Sequence, residues 1–192
     1  HRDLHSFPTR RSSDLRPCKY RFTREESLLC STKKHPFDIR ITISADRQGK
    51  LGAISVNAIS DIGPYASLSQ VVLTRFATHI LGPYTWMAHQ IDITGVYTNN
   101  LIAGAMRGFG VNQACFAIEA MMDRMARVLG ISPVRLREIN MIRDGQKMGL
   151  GETAQHSAGL EKCFRDVVAR ISREEIETFN DSHENTNRGF GI

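Results

Sequence analysis

Arg107-Gly108-Phe109-Gly110 is the stretch best suited to chemistry. An arginine precedes two glycines that bracket an aromatic, and a strongly helical run follows at once. Glycines lack the Cβ that would hold a ligand away from the backbone. A helix N-terminus presents unpaired N–H groups to an anion. A guanidinium can fork onto a phosphate or a polar ring edge, and Phe109 can offer its face to a planar substrate. The letters therefore fit a cofactor-phosphate and substrate corner, and they equally fit a tight strand-to-helix turn with no ligand. The Gly-Lys-Ser/Thr ending of a phosphate loop is absent, and the third-glycine position of a dinucleotide fingerprint is Gln113.

Arg75 is the second candidate. Leu68, Val71, Val72, Phe76 and Ile80 recur at helical spacing, and at about 100° per residue Arg75 lands inside their apolar arc. An arginine there either snorkels to the edge of the face or points into a cavity holding an acidic or polar ligand. Other constellations carry less. Glu25-Glu26 beside Arg24 read as surface charges, and His79 and His89 have no Ser, Cys or Asp at triad spacing. Cys18, Cys30, Cys115 and Cys163 form no CxxC pair and no zinc-type spacing. Cys115 and Cys163 fall among apolar neighbours on expected helices, which predicts buried, reduced thiols.

The elements that must position these residues follow from periodicity. Phe37, Ile39, Ile41, Ile43 and Ala45 alternate with polar residues, which predicts a strand with one wet face. Asp46–Lys50 is turn chemistry, and Leu51–Asp61 returns as a second strand, giving a β-hairpin ended by Gly63-Pro64. Ser67–Leu81 reads as a helix and residues 84–98 as an extended run. Val111, Ala114, Cys115, Ile118, Met121, Met122, Met125, Val128 and Leu129 predict a five-turn amphipathic helix closed by Gly130. Ser132-Pro133 starts another helix running to about Ile142. Ser157 caps one bearing Leu160, Cys163, Phe164, Val167, Val168 and Ile171, and Ser172–Glu175 has capping-box spacing for a short last helix. Residues 188–192 read as the start of a strand.

The chain has 192 residues, enough for one ordinary domain and too few for a large multi-cofactor enzyme. With 41% hydrophobic and 23% charged residues it is a globular chain, and no apolar run approaches the ~20 residues a membrane span needs. The net charge of +5 is scattered, with no basic stripe interleaved with aromatics, so nucleic acid is not an expected partner. Neither is a membrane, and the cysteine usage fits a cytoplasmic compartment. Residues 1–15 (HRDLHSFPTRRSSDL) have no periodicity and resemble a translated sequencing adapter; they are set aside as non-native or disordered.

Ala105–Gln113, with the helix Ala114–Gly130 and the segment Ile131–Asn140, resembles the molybdenum-binding (molybdopterin) subunit of the xanthine dehydrogenase/aldehyde oxidase family. So do Thr23-Arg24-Glu25-Glu26 with His35-Pro36-Phe37, and the closing Asn187-Arg188-Gly189. The likeness runs over residues 16–192 and implies a molybdenum hydroxylase. Such an enzyme delivers a hydroxyl from water to an electron-poor carbon of an N-heterocycle or an aldehyde. Electrons pass through 2Fe–2S clusters, commonly to FAD, on other segments or partner subunits. By the resemblance, Arg107 and Gly108 lie at the molybdenum–pterin cofactor, for which the cytosine dinucleotide form is one expectation, and Phe109 stacks on substrate. In purine-oxidising members an arginine thirty-two positions before the motif's arginine orients the substrate, and that position here is Arg75.

The same likeness places the family's catalytic glutamate beyond Ile192 and a second substrate-side glutamate before Arg16. The expectation is therefore an internal fragment, with no catalytic residue and no metal ligand of its own, inactive alone and drawn from an oligomeric parent. Its fold class should be α+β, a hairpin-based mixed sheet followed by amphipathic helices, within a larger two-lobed subunit. Residues 16–104 would form the sheet and helix portion of one lobe, and 105–192 the turn and helical portion leading into the next. A purine hydroxylase is the first function expected. An aldehyde or other heterocycle oxidoreductase of the same family, or a non-catalytic anion-binding module, are the alternatives.

Overall fold

In the computed structural model, residues 19–155, 159–170 and 178 are described. Alternation of apolar and polar residues produces β1 (Phe37–Ala45) and β2 (Leu51–Gly63), paired antiparallel with Ile41 opposite Val56. The intervening turn is closed by Asp46, whose Oδ1 accepts from the N–H of Gln48 at 2.9 Å and of Lys50 at 2.8 Å. The predicted hairpin is present. The extended run forms β3 (Ala88–Tyr97), which pairs parallel to β2, giving a mixed sheet in the order β1-β2-β3. Parallel neighbours need a crossover, and α2 (Ser69–His79) supplies it.

The expected α+β class is what the chain adopts. α2 begins two residues later than its sequence pattern suggested, because Ser67 takes a left-handed φ of +45° and Leu68 sits at the N-cap. α3 (Val111–Leu129) ends where expected, on Gly130 in the left-handed region. α4 (Pro133–Asn140) opens with Pro at its first turn; Met141 and Ile142, expected inside it, are buried beyond its end. α5 (Leu160–Val168) has Gly159 at its N-cap. Residues 156–158, with the expected Ser157 cap, lie outside the described residues, as do 171–177 and 188–192.

An N-terminal helix, α1 (Arg24–Cys30), was not expected. It is closed by a capping box in which Thr23 Oγ1 accepts from the N–H of Glu26 and the Glu26 carboxylate accepts from the N–H of Thr23. Glu26 is thus a cap and not one of a pair of surface charges. Among the described residues no helix is long and apolar enough to cross a membrane.

The core lies between the sheet and α2 with α3. Leu51, Ile54, Val56 and Ala58 of β2 meet Phe76, Ile80, Ala114, Ile118, Met122 and Ala126, all nearly inaccessible. Phe37 stacks on Phe76 with ring centroids 4.7 Å apart. The buried stripe of α3 advances by four residues at each step, which turns Cys115 and Val128 outward. Cys115 and Cys163 are exposed, not buried as their neighbours suggested. For Cys163 the reason is that no residue of α5 is buried at all.

One buried side chain joins the two halves. Asn140 Oδ1 accepts from the N–H of Leu51 at 2.9 Å, while its Nδ2 donates to the carbonyls of Gly49 at 2.7 Å and Leu136 at 2.8 Å. Asn140→Ala would strand the Leu51 donor and the Gly49 acceptor in the interior. Urea unfolding should report a loss of about 3 kcal/mol, at an unchanged m-value.

Candidate functional site

The turn at Arg107–Gly110 is approached by a segment held on both sides. The N–H of Lys33 donates to Ile102 O at 2.9 Å and the N–H of Gly104 to Lys33 O at 3.0 Å, while the N–H of Ala103 reaches Ile62 O at the end of β2. A Cβ on Gly63 would stand 2.6 Å from Leu101 O, so the crossing is tight. The chain then turns through three successive left-handed residues, Gly108 (φ +94°), Phe109 (+51°) and Gly110 (+95°). Two glycines adopt this freely. Phe109 does not, and a non-glycine residue held there costs about 1–3 kcal/mol.

Hydrogen bonds within the turn sustain that strain: Phe109 N–H to Met106 O at 2.8 Å, Val111 N–H to Gly108 O at 2.9 Å and Ala114 N–H to Gly110 O at 3.2 Å. The first N–H of α3 is thereby used by the turn itself, so only part of the helix terminus is open to an anion, less than the letters suggested. Gly110 is seated on α2. A Cβ there would lie 2.5 Å from Val72 O and 3.2 Å from Phe76 N. The turn therefore rests on the helical turn of α2 that carries Arg75.

Arg75 does not lie in a wholly buried arc. Val72 and Phe76 are buried, whereas Arg75 emerges with Leu68 and Val71 on an exposed flank. Its carbonyl accepts from Thr78 Oγ1, and His79 Nδ1 lies 2.8 Å from the same oxygen. Arg107 and Gly108 are exposed and Phe109 is half-buried. The structure thus brings Arg107, Gly108 and Phe109 into one turn and docks that turn on the helix of Arg75. Among the described residues, no hydrogen bond or ion pair ties the guanidinium of Arg75 to the turn. No group of three or more His, Cys, Asp and Glu placed to hold a metal ion occurs among the described residues.

Two neighbours escaped the sequence reading. His35 is buried, with Nε2 2.8 Å from Ser69 Oγ at the start of α2. Both are closed to solvent, so the pair ties the segment before β1 to α2 and is no nucleophile–base couple. Gln113 Nε2 donates to His35 O at 3.1 Å, and its Oε1 is buried without a hydrogen-bond partner among the described residues. It borders a groove of about 490 Å³ between β1 and α3, lined also by Phe37, Ile39, Phe116 and Met121. Neither is legible in the sequence, because each depends on partners at least thirty-four residues away.

Burial pushes the His35 imidazole below its ordinary pKa of 6.5, and the Asp61 carboxylate opposes this more weakly. Asp61 itself is held low by hydrogen bonds from Thr98, Asn100 and the N–H of Gly63.

Residues 12–141 match the molybdopterin cofactor-binding domain. The chain is 39% identical over 145 residues to the large molybdopterin subunit of nicotinate dehydrogenase from Eubacterium barkeri, covering 76% of this chain and 34% of that subunit. It is 35% identical over 178 residues to the xanthine dehydrogenase molybdenum-binding subunit of Escherichia coli O157:H7, covering 92% and 24%. The aldehyde oxidoreductase structure from Desulfovibrio desulfuricans superposes with a TM-score of 0.75 at 29% identity, over 84% of this chain and 18% of that one. The chain therefore spans about a third or less of the lengths of these relatives.

The two turn glycines should differ in tolerance. Gly110→Ala drives a Cβ into α2 backbone and should cost about 3 kcal/mol in urea unfolding. Gly108→Ala meets only the movable side chain of Asn112, and should cost about half that. A lowered His35 pKa has a definite sign. The unfolded chain takes up the proton as pH falls through 6.5 and the folded chain only at lower pH, so stability is complete above 6.5 and declines below it. Thermal midpoints measured from about pH 7.5 down to pH 5.5 should fall, and His35→Gln should flatten that slope.

Proposed function

The chain belongs to the molybdopterin cofactor-binding domain family, within molybdenum-binding subunits of the xanthine dehydrogenase/aldehyde oxidase type, and from that premise we propose that its complete enzyme hydroxylates an aromatic N-heterocycle. When bound, the molybdenum–pterin group would supply the two-electron oxidation by which a hydroxyl from water replaces hydrogen on the substrate carbon, with two protons released. Everything else is work for the polypeptide.

In this reading Arg107 places an unpaired guanidinium at the anionic edge of the cofactor, and Gly108 lets backbone approach it closely. The residues fit such a group: Arg107 and Gly108 are exposed at the turn, and the Arg107 guanidinium has no ion-pair partner among the described residues, so its donors are available to an anion. Phe109, held in its strained conformation, offers its ring to a planar substrate. Arg75 donates to the polar atoms of that ring and fixes its rotation. A purine is the substrate class this favours. The observation that carries the proposal is the seat of Gly110 on α2, which joins the cofactor turn to the helix of the substrate arginine.

A second reading is hydroxylation of another N-heterocycle, favoured by the 39% identity to the nicotinate dehydrogenase subunit, or of an aldehyde, favoured by the 29% identity to the aldehyde oxidoreductase. In both readings electrons leave through 2Fe–2S clusters toward FAD on other segments or subunits, in an oligomeric cytoplasmic enzyme. Residues 16–104 would be the sheet and helix portion of the cofactor-binding lobe, and 105–192 the turn and helical portion leading into the next lobe.

Arg75→Leu in the complete enzyme should lower kcat/KM for a purine about 100-fold, equivalent to about 2.7 kcal/mol, and aldehyde turnover far less. Equal losses on both substrates would remove the purine assignment. Bound molybdenum, measured by mass spectrometry, should fall in Arg107→Leu and hold at the parent level in Arg75→Leu.

A further inference from the structure

The strained turn has one fastening that is not backbone to backbone. Asn112, at the second position of α3, folds its side chain back over Gly108, and its Nδ2 donates to the carbonyl of Arg107 at 3.3 Å. A Cβ on Gly108 would collide with every heavy atom of that carboxamide beyond its own Cβ. The notch that glycine leaves is therefore filled by Asn112. One amide holds the Arg107 carbonyl and covers the Gly108 α-carbon, and so fixes the plane of the peptide that joins them. That plane sets where the next residue, Phe109, can stand.

Asn112 is exposed and makes no contribution to the core stripe of Ala114, Ile118, Met122 and Ala126. Its work is confined to the turn. We propose that Asn112 is a positioning residue, which sets the Arg107–Gly108 peptide and through it the seat of the Phe109 ring for an aromatic substrate. This rests on Phe109 being a substrate face.

The chemistry of the side chain makes the role separable from stability. Aspartate has the same shape as asparagine but cannot donate to the Arg107 carbonyl when ionised. In the first turn of a helix its negative charge is also favourable. Asn112→Asp should therefore keep or raise the thermal midpoint while releasing the turn, whereas a residue that merely stabilises the fold would lose stability with the bond.

The test uses the complete holoenzyme with Asn112→Asp, Asn112→Ala and Phe109→Leu in parallel. Amide hydrogen exchange over residues 105–113 should quicken about 10-fold in both Asn112 variants, with the rest of the chain at parent rates. KM for an aromatic heterocycle should rise about 10-fold in both, at unchanged molybdenum content. Gly108→Ala should be better tolerated in the Asn112→Ala background than alone, because the collision is gone. Exchange at parent rates in residues 105–113 of Asn112→Asp overturns the proposal, whatever the kinetics. If exchange quickens but Phe109→Leu leaves KM unchanged, the substrate-face reading is what has failed.

Discussion

The approach of Gly110 to the backbone of α2 is the constraint on which this fold depends. With a Cβ only 2.5 Å from Val72 O, no other residue fits without moving one helix away from the other. That contact sets the separation of α2 and α3, and so the room available to Phe76, Ile118 and Met122 between them and the sheet. It also leaves the preceding residues only one way to enter α3, through a left-handed run that includes a phenylalanine. The strain at Phe109 is thus a consequence of how closely two helices meet, sustained by packing some distance from the ring.

Much of the fold was legible because it is local. Alternation over Phe37–Ala45 and Leu51–Asp61 requires strands, and the Asp46–Lys50 turn requires that they be neighbours. Gly130 and Pro133 mark helix ends by backbone geometry alone. What escaped depended on distant partners. Helical spacing placed Arg75 and Cys115 among apolar residues, but spacing does not say how wide a stripe its neighbour covers. α2 and α3 bury a narrow ladder each, and both residues fall just outside it. The box between Thr23 and Glu26 is local too, a threonine three residues before a glutamate, but with Arg24 and Glu25 between them the same letters also spell an ordinary charged surface. The candidate site was legible as letters and only half legible as geometry: the glycines announced a turn, but not that Asn112 fills it or that His35 and Gln113 stand behind it.

The arginines divide by their surroundings. Arg137 lies between α3 and α4 with both arms engaged, on Glu119 at 2.6 Å and on Asp123 at 2.8 Å, and Tyr84 donates to the same Glu119. Burial disfavours its charge, but these carboxylates outweigh that and raise its pKa, so it is fixed as a structural cation. Arg75 and Arg107 have no such carboxylates among the described residues. A guanidinium already matched to two acids has nothing left for a ligand, whereas those at the corner retain their full set of donors.

Asn140 has a consequence for the order in which the chain comes together. Its bonds to Leu51 and Gly49 join positions eighty-nine and ninety-one residues apart. The hairpin is made before α4, and the Gly49 carbonyl and Leu51 amide at its turn stay bonded to water until Asn140, the last residue of α4, is available. The parallel pairing of β2 with β3 adds a second distant contact that must wait for α2. Chains rich in such remote contacts fold slowly. This fold accordingly cannot close strand by strand as it is synthesised: its hairpin turn is fastened only when the end of α4 supplies a single amide.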